Sequence, residues 1–191
     1  MNFVKSCAAL AAGAVLSACA LMQPERPAER ARAFDLVGRV AVNHEGRAFS
    51  AGVRWEHTLE RDEVWLLTPV GQALAHIVGD AQGATYTGAD RSRHTARDIG
   101  SLTRRALGWE LPIENLSWWV QGAIAPSAVI QHVERDEHGR LVTLAQEDWR
   151  IAYTHYAPGD NGGRPRRLDI SGGAQEIRFI VDNWRGEGEA P

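Results

Sequence analysis

The sequence predicts a mainly β (α+β) fold, namely an unclosed antiparallel β-barrel of about eleven strands with helices covering a hydrophobic cavity. Two observations support this class. Apolar and polar residues alternate with a period of two in segments separated by turn residues, both before and after the middle of the chain. Between about residues 96 and 122 the apolar period becomes helical. Strands on both sides of a helical interlude favour a sheet that curls over its helices.

The first two strands are the clearest, because one face of each is continuously apolar or small. In the first strand these are Phe34, Leu36, Gly38, Val40 and Val42, and in the second they are Phe49, Ala51, Val53 and Trp55. The turn between them is Asn43–Gly46. This pattern predicts a long hairpin with one apolar face.

The remaining strands are shorter and follow the same alternation. We predict them at Glu63–Thr68, Ala73–Gly79, Gly83–Thr87, Ser92–Thr95, Ala128–Glu134, Arg140–Gln146, Trp149–Tyr156, Arg166–Ser171 and Glu176–Asp182.

Two helices are predicted in the middle of the chain. Ala96–Leu107 places Ile99, Leu102 and Ala106 on one stripe, and Gly108 ends the helix. Pro112 begins a second helix, which Gly122 ends. Its apolar face contains Ile113, Leu116, Trp119 and Val120.

The first twenty residues have the composition of a secretory signal peptide. Lys5 precedes the apolar run Cys7–Leu16, which is too short to span a membrane comfortably. Leu16-Ser17-Ala18-Cys19 resembles the lipobox of bacterial lipoproteins, which implies cleavage before Cys19 and acylation of that residue. Ala20 at the next position resembles proteins sorted to the outer membrane. The alternative is an ordinary signal peptide with an incidental cysteine.

These features divide the chain into four predicted segments: a signal peptide (1–18), a lipid-anchored tether with a short helix at Ala28–Ala33 (19–33), one domain (34–184) and a flexible tail (185–191). With Cys7 removed and Cys19 acylated, the domain has no thiol for disulfides or catalysis. The net charge of −3 is spread along the chain and does not indicate nucleic-acid binding.

The sequence contains no motif that indicates an enzyme, a cofactor or a metal site. Its seven histidines are scattered, without HExxH and without metal-ligand spacing. Asp62-Glu63 and Asp136-Glu137 fall in predicted turns, where carboxylates are usually solvated. An enzyme would require a pocket that gathers His155 with carboxylates.

Hydrophobic side chains are the more informative feature. Seven tryptophans either fill a core or surround a pocket for an apolar ligand. Trp118 and Trp119 are adjacent on a helix, so one of them is expected at an opening or edge. The turn Pro69-Val70-Gly71 places a β-branched apolar residue at its tip, where it either projects into solvent or folds back onto a strand.

Several segments in this order resemble the LolB family. They are LSAC, FDLVGRVAV, SAGVRW, LLTPVGQALAHI, ALGWELPIENLSWWVQG, WRIAYTHY and EIRFIVDNW, and the resemblance spans Phe34 to Trp184. LolB proteins are monomeric outer-membrane receptors at the periplasmic face that accept acylated lipoproteins from the carrier LolA. The resemblance implies an unclosed barrel whose hydrophobic cavity takes up the acyl chains and passes them to outer-membrane phospholipid without a chemical step.

The resemblance also implies site residues. Pro69, Val70 and Gly71 match the family's membrane-insertion loop, although Val70 replaces the usual leucine. The expected acyl-chain cavity consists of Leu36, Val40, Val53, Trp55, Leu66, Trp119, Trp149, Ile151 and Phe179. Arg39 matches a family arginine that either forms a structural ion pair or gates the cavity. Arg39, Arg54, Arg104 and Arg105 are candidates for the carrier-docking surface.

Two alternatives remain open from the sequence. One is a lipoprotein that binds lipids or other hydrophobic ligands without handover from a carrier. The other is a structural lipoprotein whose tryptophans only fill a core. Binding of an apolar dye distinguishes an available cavity from a filled core, and transfer from the carrier distinguishes a receptor from a general lipid binder.

Overall fold

Eleven strands form one antiparallel sheet, and two helices pack against its inner face, in a computed structural model that describes residues 32–156 and 163–185. This confirms the predicted class and the predicted number of strands. The strands are β1 (Phe34–His44), β2 (Arg47–His57), β3 (Arg61–Leu67), β4 (Ala73–Asp80), β5 (Gly83–Gly88), β6 (Arg93–Ala96), β7 (Ile130–Arg135), β8 (Leu141–Gln146), β9 (Trp149–Tyr156), β10 (Pro165–Gly172) and β11 (Gln175–Arg185).

The order of the strands across the sheet is β6-β5-β4-β3-β2-β1-β11-β10-β9-β8-β7. The first and last strands therefore pair at the centre of the sheet, where Val40 lies opposite Phe179. Strands β6 and β7 are the two edges, and they do not pair with each other. The sheet is consequently an open, curled surface, as the sequence predicted.

Alternation along the strands determines which side chains face the helices. The predicted inner faces of β1 and β2 are confirmed, because Leu36, Val40, Val53 and Trp55 are buried. The buried residues of both halves of the sheet join those of the helices in a single hydrophobic core.

The first helix, α1, spans Ile99–Leu107. Its prediction began three residues too early, because Ala96 still pairs in β6 and Asp98 caps the helix through its side chain. Gly108 ends the helix in the left-handed region, with φ of 83°.

The second helix, α2, spans Ile113–Trp119 and follows Pro112. Residues 108–112 form the α1–α2 linker. The predicted buried face of α2 is confirmed. Trp119 is fully buried, whereas Trp118 is half-buried and lines an open groove of about 430 Å³ together with Leu59.

The antiparallel topology gives the sheet two ends. The terminal end carries the start of β1, the end of β11 and the β2–β3, β4–β5 and β7–β8 turns. The Val70 end carries the β3–β4 loop (residues 68–72) and the β1–β2, β5–β6, β8–β9 and β10–β11 turns. Because β1 and β2 each contain 11 residues, these ends are separated by about 35 Å along the central strands.

The predicted segment boundaries are only partly covered by the described residues. The predicted signal peptide, Cys19 and nearly all of the tether and tail lie outside them. Arg32 and Ala33, the described part of the predicted short helix, are not helical, and β11 extends to Arg185. Among the residues described, no helix is long and apolar enough to cross a membrane.

Candidate functional site

The space between the sheet and the helices is apolar and almost filled. A void of about 20 Å³ lies there. It is lined by Val40, Val53, Trp55, Val64, Leu66, Ile77, Trp109, Leu111, Ile113, Leu116 and Phe179. A volume of this size holds about one water-sized probe, so this closed conformation has no room for an acyl chain.

The predicted cavity residues lie in this core but do not all reach the void. Five of them line it: Val40, Val53, Trp55, Leu66 and Phe179. Leu36, Trp119 and Ile151 are fully buried elsewhere in the same core. Trp149 is only partly buried, with its ring centroid 6.3 Å from that of Trp119. Binding of acyl chains by these nine residues stays a prediction.

Six further residues line the void and were not among the predicted cavity residues. Val64 and Ile77 occupy inward positions of β3 and β4, so the same alternation could have found them. Ile113 and Leu116 belong to the predicted apolar face of α2. Trp109 and Leu111 lie in the α1–α2 linker, where no periodic pattern marks a buried side chain.

At the terminal end an aromatic cluster closes the interior, and a carboxylate holds it in place. We call this group the terminal cluster. The Phe34 ring lies 4.9 Å from Trp55, 5.0 Å from His57 and 5.5 Å from Trp184. The Trp55 indole donates to Asp62 Oδ1 at 2.7 Å, and His57 Nδ1 lies 2.8 Å from the same oxygen. Ring packing and hydrogen bonds therefore fix the same side chains.

The Val70 end is closed by the α1–α2 linker. Trp109 packs against Phe49 of β2, with ring centroids 6.5 Å apart. The Gln175 side chain of β11 is buried, and its Nε2 donates to the carbonyl of Glu110 at 2.7 Å. Among the described residues, this is the hydrogen bond that joins the linker to the sheet.

A second buried glutamine fixes the segment that follows α2. Gln146 Oε1 accepts from Trp119 Nε1 at 2.9 Å and from the Ala125 amide at 3.0 Å. Its Nε2 donates to the carbonyls of Ala125 at 2.8 Å and Ala128 at 3.1 Å. The side chain thus satisfies its hydrogen-bonding capacity while it ties α2 to β8.

The β3–β4 loop holds Val70 in solvent, with 80 % of its surface exposed. Thr68 and Gln72 close the loop, since the Thr68 amide donates to the Gln72 carbonyl at 2.8 Å and the Gln72 amide donates to Thr68 Oγ1 at 3.0 Å. Gly71 has φ of 82°, a conformation that suits glycine. Val70 projects outward and does not fold back onto a strand.

The arginines proposed for carrier docking already have partners in the protein. Arg39 lies on the outer face and forms a bidentate pair with Asp182, at 2.7 and 3.1 Å, so it does not reach the interior. Arg54 pairs with Asp35 and Glu56, and Arg104 pairs with Glu110. Arg105 donates to the Thr95 carbonyl at 3.4 Å.

Polar side chains in the core are few. The Tyr153 hydroxyl is buried without a hydrogen-bond partner among the described residues, and burial raises its pKa, so the group stays neutral. His155 is exposed on the outside of β9. Within the described ranges, no three His, Cys, Asp or Glu side chains are grouped so that they could hold a metal ion.

Known proteins are similar to this chain over nearly all of the described region. The family model described as outer membrane lipoprotein LolB matches residues 32–184. The outer-membrane lipoprotein LolB of Nitrosomonas europaea is 36 % identical over 156 residues, which cover 81 % of this chain and 73 % of the relative. That of Thiobacillus denitrificans is 35 % identical and covers 89 % and 91 %.

A solved structure also has a similar fold. The LolA superfamily protein of Nitrosomonas europaea aligns with a TM-score of 0.52 over 86 % of this chain and 90 % of its own, at 7 % sequence identity. At this identity the likeness concerns the fold alone.

Proposed function

Because the chain belongs to the LolB family of outer-membrane lipoproteins, we propose that it receives acylated lipoproteins from a periplasmic LolA-like carrier and delivers them to the outer membrane. The observation that carries the proposal is the interior of the domain. The void that one sheet and two helices enclose is lined only by aliphatic and aromatic side chains. Such a surface suits hydrocarbon and offers no groups for a chemical reaction.

Transfer of cargo through this interior requires no nucleotide, cofactor or catalytic residue. Each acyl CH₂ that moves from water into an apolar site is stabilised by about 0.8 kcal/mol, so a chain of many CH₂ groups moves toward the site that buries it best. The interior must widen to receive the chain, because the closed conformation contains a void of only about 20 Å³.

Delivery to the membrane is assigned to Pro69, Val70 and Gly71. An apolar side chain that is 80 % exposed at the tip of a tight loop is suited to enter the lipid interface. Val70 is one methylene shorter than leucine, which reduces the insertion free energy by about 0.8 kcal/mol. We assign attachment to the periplasmic face of the outer membrane to an acylated Cys19, and we expect the protein to act as a monomer.

The test is a transfer assay with purified components. The carrier is loaded with an acylated lipoprotein and mixed with a chain that begins at residue 19 and carries Cys19→Ala. Co-precipitation reports which protein holds the cargo, and liposomes are then added. We expect cargo to move to this domain and then to lipid, and Val70→Glu to block only the second step.

Leu59 provides a matched control for Val70. It is also an exposed apolar residue, 68 % accessible, but it lies in the β2–β3 turn at the terminal end. Leu59→Glu is expected to leave both steps unchanged. If cargo stays on its carrier while the domain is folded, the general lipid-binding alternative replaces the receptor. If Leu59→Glu blocks delivery as strongly as Val70→Glu, the loop has no special role.

A further inference from the structure

We propose that acyl chains pass between the α1–α2 linker and the tips of the β1–β2 and β10–β11 hairpins, and that Gln175 keeps this portal closed. The portal therefore lies at the Val70 end of the sheet. The inference rests on the proposed function, because it identifies the route of the ligand which that function requires.

The inner face of the sheet continues past the linker, which makes this end a route into the core. Along β1 the inward residues run from Val40, which lines the void, to Val42. Along β2 they run from Val53, which also lines the void, to Phe49. Val42 is buried beside the tip of the β1–β2 hairpin, and Phe49 is half-buried and packs against Trp109 of the linker. Displacement of the linker would therefore extend the apolar surface of the void to the hairpin tips.

The linker is joined more strongly to α1 than to the sheet. The Leu111 amide donates to Thr103 Oγ1 at 2.9 Å, and Arg104 of α1 pairs with Glu110. These contacts move together with the helix. The hydrogen bond from Gln175 to the Glu110 carbonyl is different, because it connects the linker to β11.

Gln175 is well suited to keep the portal closed, because its hydrogen bond to the linker is shielded from solvent. The side chain is 7 % exposed, and Gln175 pairs with Gly172 in its own hairpin and with His44 at the tip of the β1–β2 hairpin. Removal of one such bond weakens the closed state, while all strand pairs remain in place. A hydrogen bond of this kind shifts an equilibrium by about five-fold.

The first test compares Gln175 with Gln175→Met, which keeps the length of the side chain and removes the donor. Stopped-flow mixing with a fluorescent fatty acid measures the rate of uptake into the chain that carries Cys19→Ala. We expect the rate to rise about five-fold with the final amount bound little changed. A purely structural role would lower the thermal midpoint and leave the rate unchanged, and that result would overturn the proposal.

The second test locates the portal by holding it closed with a covalent link. Glu110→Cys with Gln175→Cys is linked by a reducible bifunctional thiol reagent, and uptake is measured before and after reduction. The control pair is Leu59→Cys with Glu114→Cys, two exposed residues that line the groove at the terminal end. We expect the first link to abolish uptake reversibly and the control link to leave it intact. The opposite pattern would place the portal at the terminal end.

These outcomes are separate from failure of the proposed function. If the folded protein takes up neither the fatty acid nor cargo, the interior is not a lipid site and the proposed function fails. If it takes up both, but neither the Gln175→Met substitution nor the link at residues 110 and 175 alters uptake, the function stands and the portal proposal is wrong.

Discussion

The terminal end and the Val70 end of the interior are closed in different ways. At the terminal end four aromatic rings pack together, and Asp62 contacts two of them through hydrogen-bonding atoms. At the Val70 end Trp109 packs against one ring, and Gln175 supplies one hydrogen bond to the linker. The first arrangement requires many contacts to break together, whereas the second requires few. This difference supports placing the proposed portal at the Val70 end and a fixed closure at the terminal end.

The largest effect is expected from Trp55→Ala in the terminal cluster. Trp55 is 1 % exposed and loses both its ring contacts and its hydrogen bond to Asp62. We expect the free energy of unfolding to fall by about 3–5 kcal/mol, measured by chemical denaturation. Trp109→Ala at the Val70 end is the matched comparison and should cost less, because it removes a single ring contact. Equal losses of unfolding free energy would show that the two tryptophans contribute equally to stability, and would contradict the proposed difference between the ends.

A second prediction concerns the segment that stays fixed while the linker moves. Gln146→Leu leaves the Trp119 indole and the Ala125 amide without their buried acceptor. We expect the free energy of unfolding to fall by about 2–3 kcal/mol, again measured by denaturation. Gln121→Leu serves as a control, since its side chain bonds to carbonyls in a more exposed position, and it should cost under about 1 kcal/mol.

The N-cap of α1 gives a pH-dependent prediction for the terminal end. The Ser101 amide donates to Asp98 and lowers the pKa of that carboxyl below its ordinary 3.8. The carboxylate therefore stabilises the fold fully above about pH 4, and this contribution is lost as the pH falls through the lowered pKa. Asp98→Ala should cost about 1 kcal/mol at neutral pH.

Asp98→Asn is the control, because asparagine also caps helices but does not titrate in this range. We expect it to retain most of the stability at pH 7 and to reduce the loss of stability on acidification. Thermal unfolding between pH 3 and pH 7 measures both effects. An unchanged pH profile in Asp98→Asn would mean that other carboxylates determine the acid sensitivity.

The smallest effect on stability is expected at the Val70 loop. Val70→Ser removes an apolar group that the fold does not bury, so the free energy of unfolding should change by no more than about 0.5 kcal/mol. Binding to phospholipid vesicles, measured by co-sedimentation, should nevertheless decrease. A large loss of stability would indicate that Val70 supports the domain rather than contacts lipid.

The sequence was sufficient to predict the sheet because burial alternates so regularly. In β1 and β2 every second residue of the central part is apolar or small, which determines the inner face, and the turn between the strands then sets the register of the hairpin. The prominence of Val70 was also predictable, since proline and glycine on either side mark a tight turn.

The closures could not be predicted, because they depend on contacts between distant parts of the chain. Trp109 and Leu111 have no periodic neighbours that would mark them as buried. In the sequence Gln175 resembles an ordinary turn residue. Its buried hydrogen bond to the Glu110 carbonyl forms only when β11 lies beside β1 and the linker packs against it. Arg39 and Arg54 were candidates for a docking surface because they are basic. Their acidic partners, Asp182 and Asp35, lie on neighbouring strands, so these ion pairs are visible only once the strands are paired.

The pairing of β1 with β11 has a consequence for how the chain is made and exported. As the chain leaves the ribosome or a translocation channel, β1 can pair with β2 early, but its other edge has no partner until the last strand arrives. The edges of the finished sheet come instead from the middle of the chain. A chain that is cut short before β11 therefore lacks the centre of the sheet, and it cannot form a smaller version of the same domain.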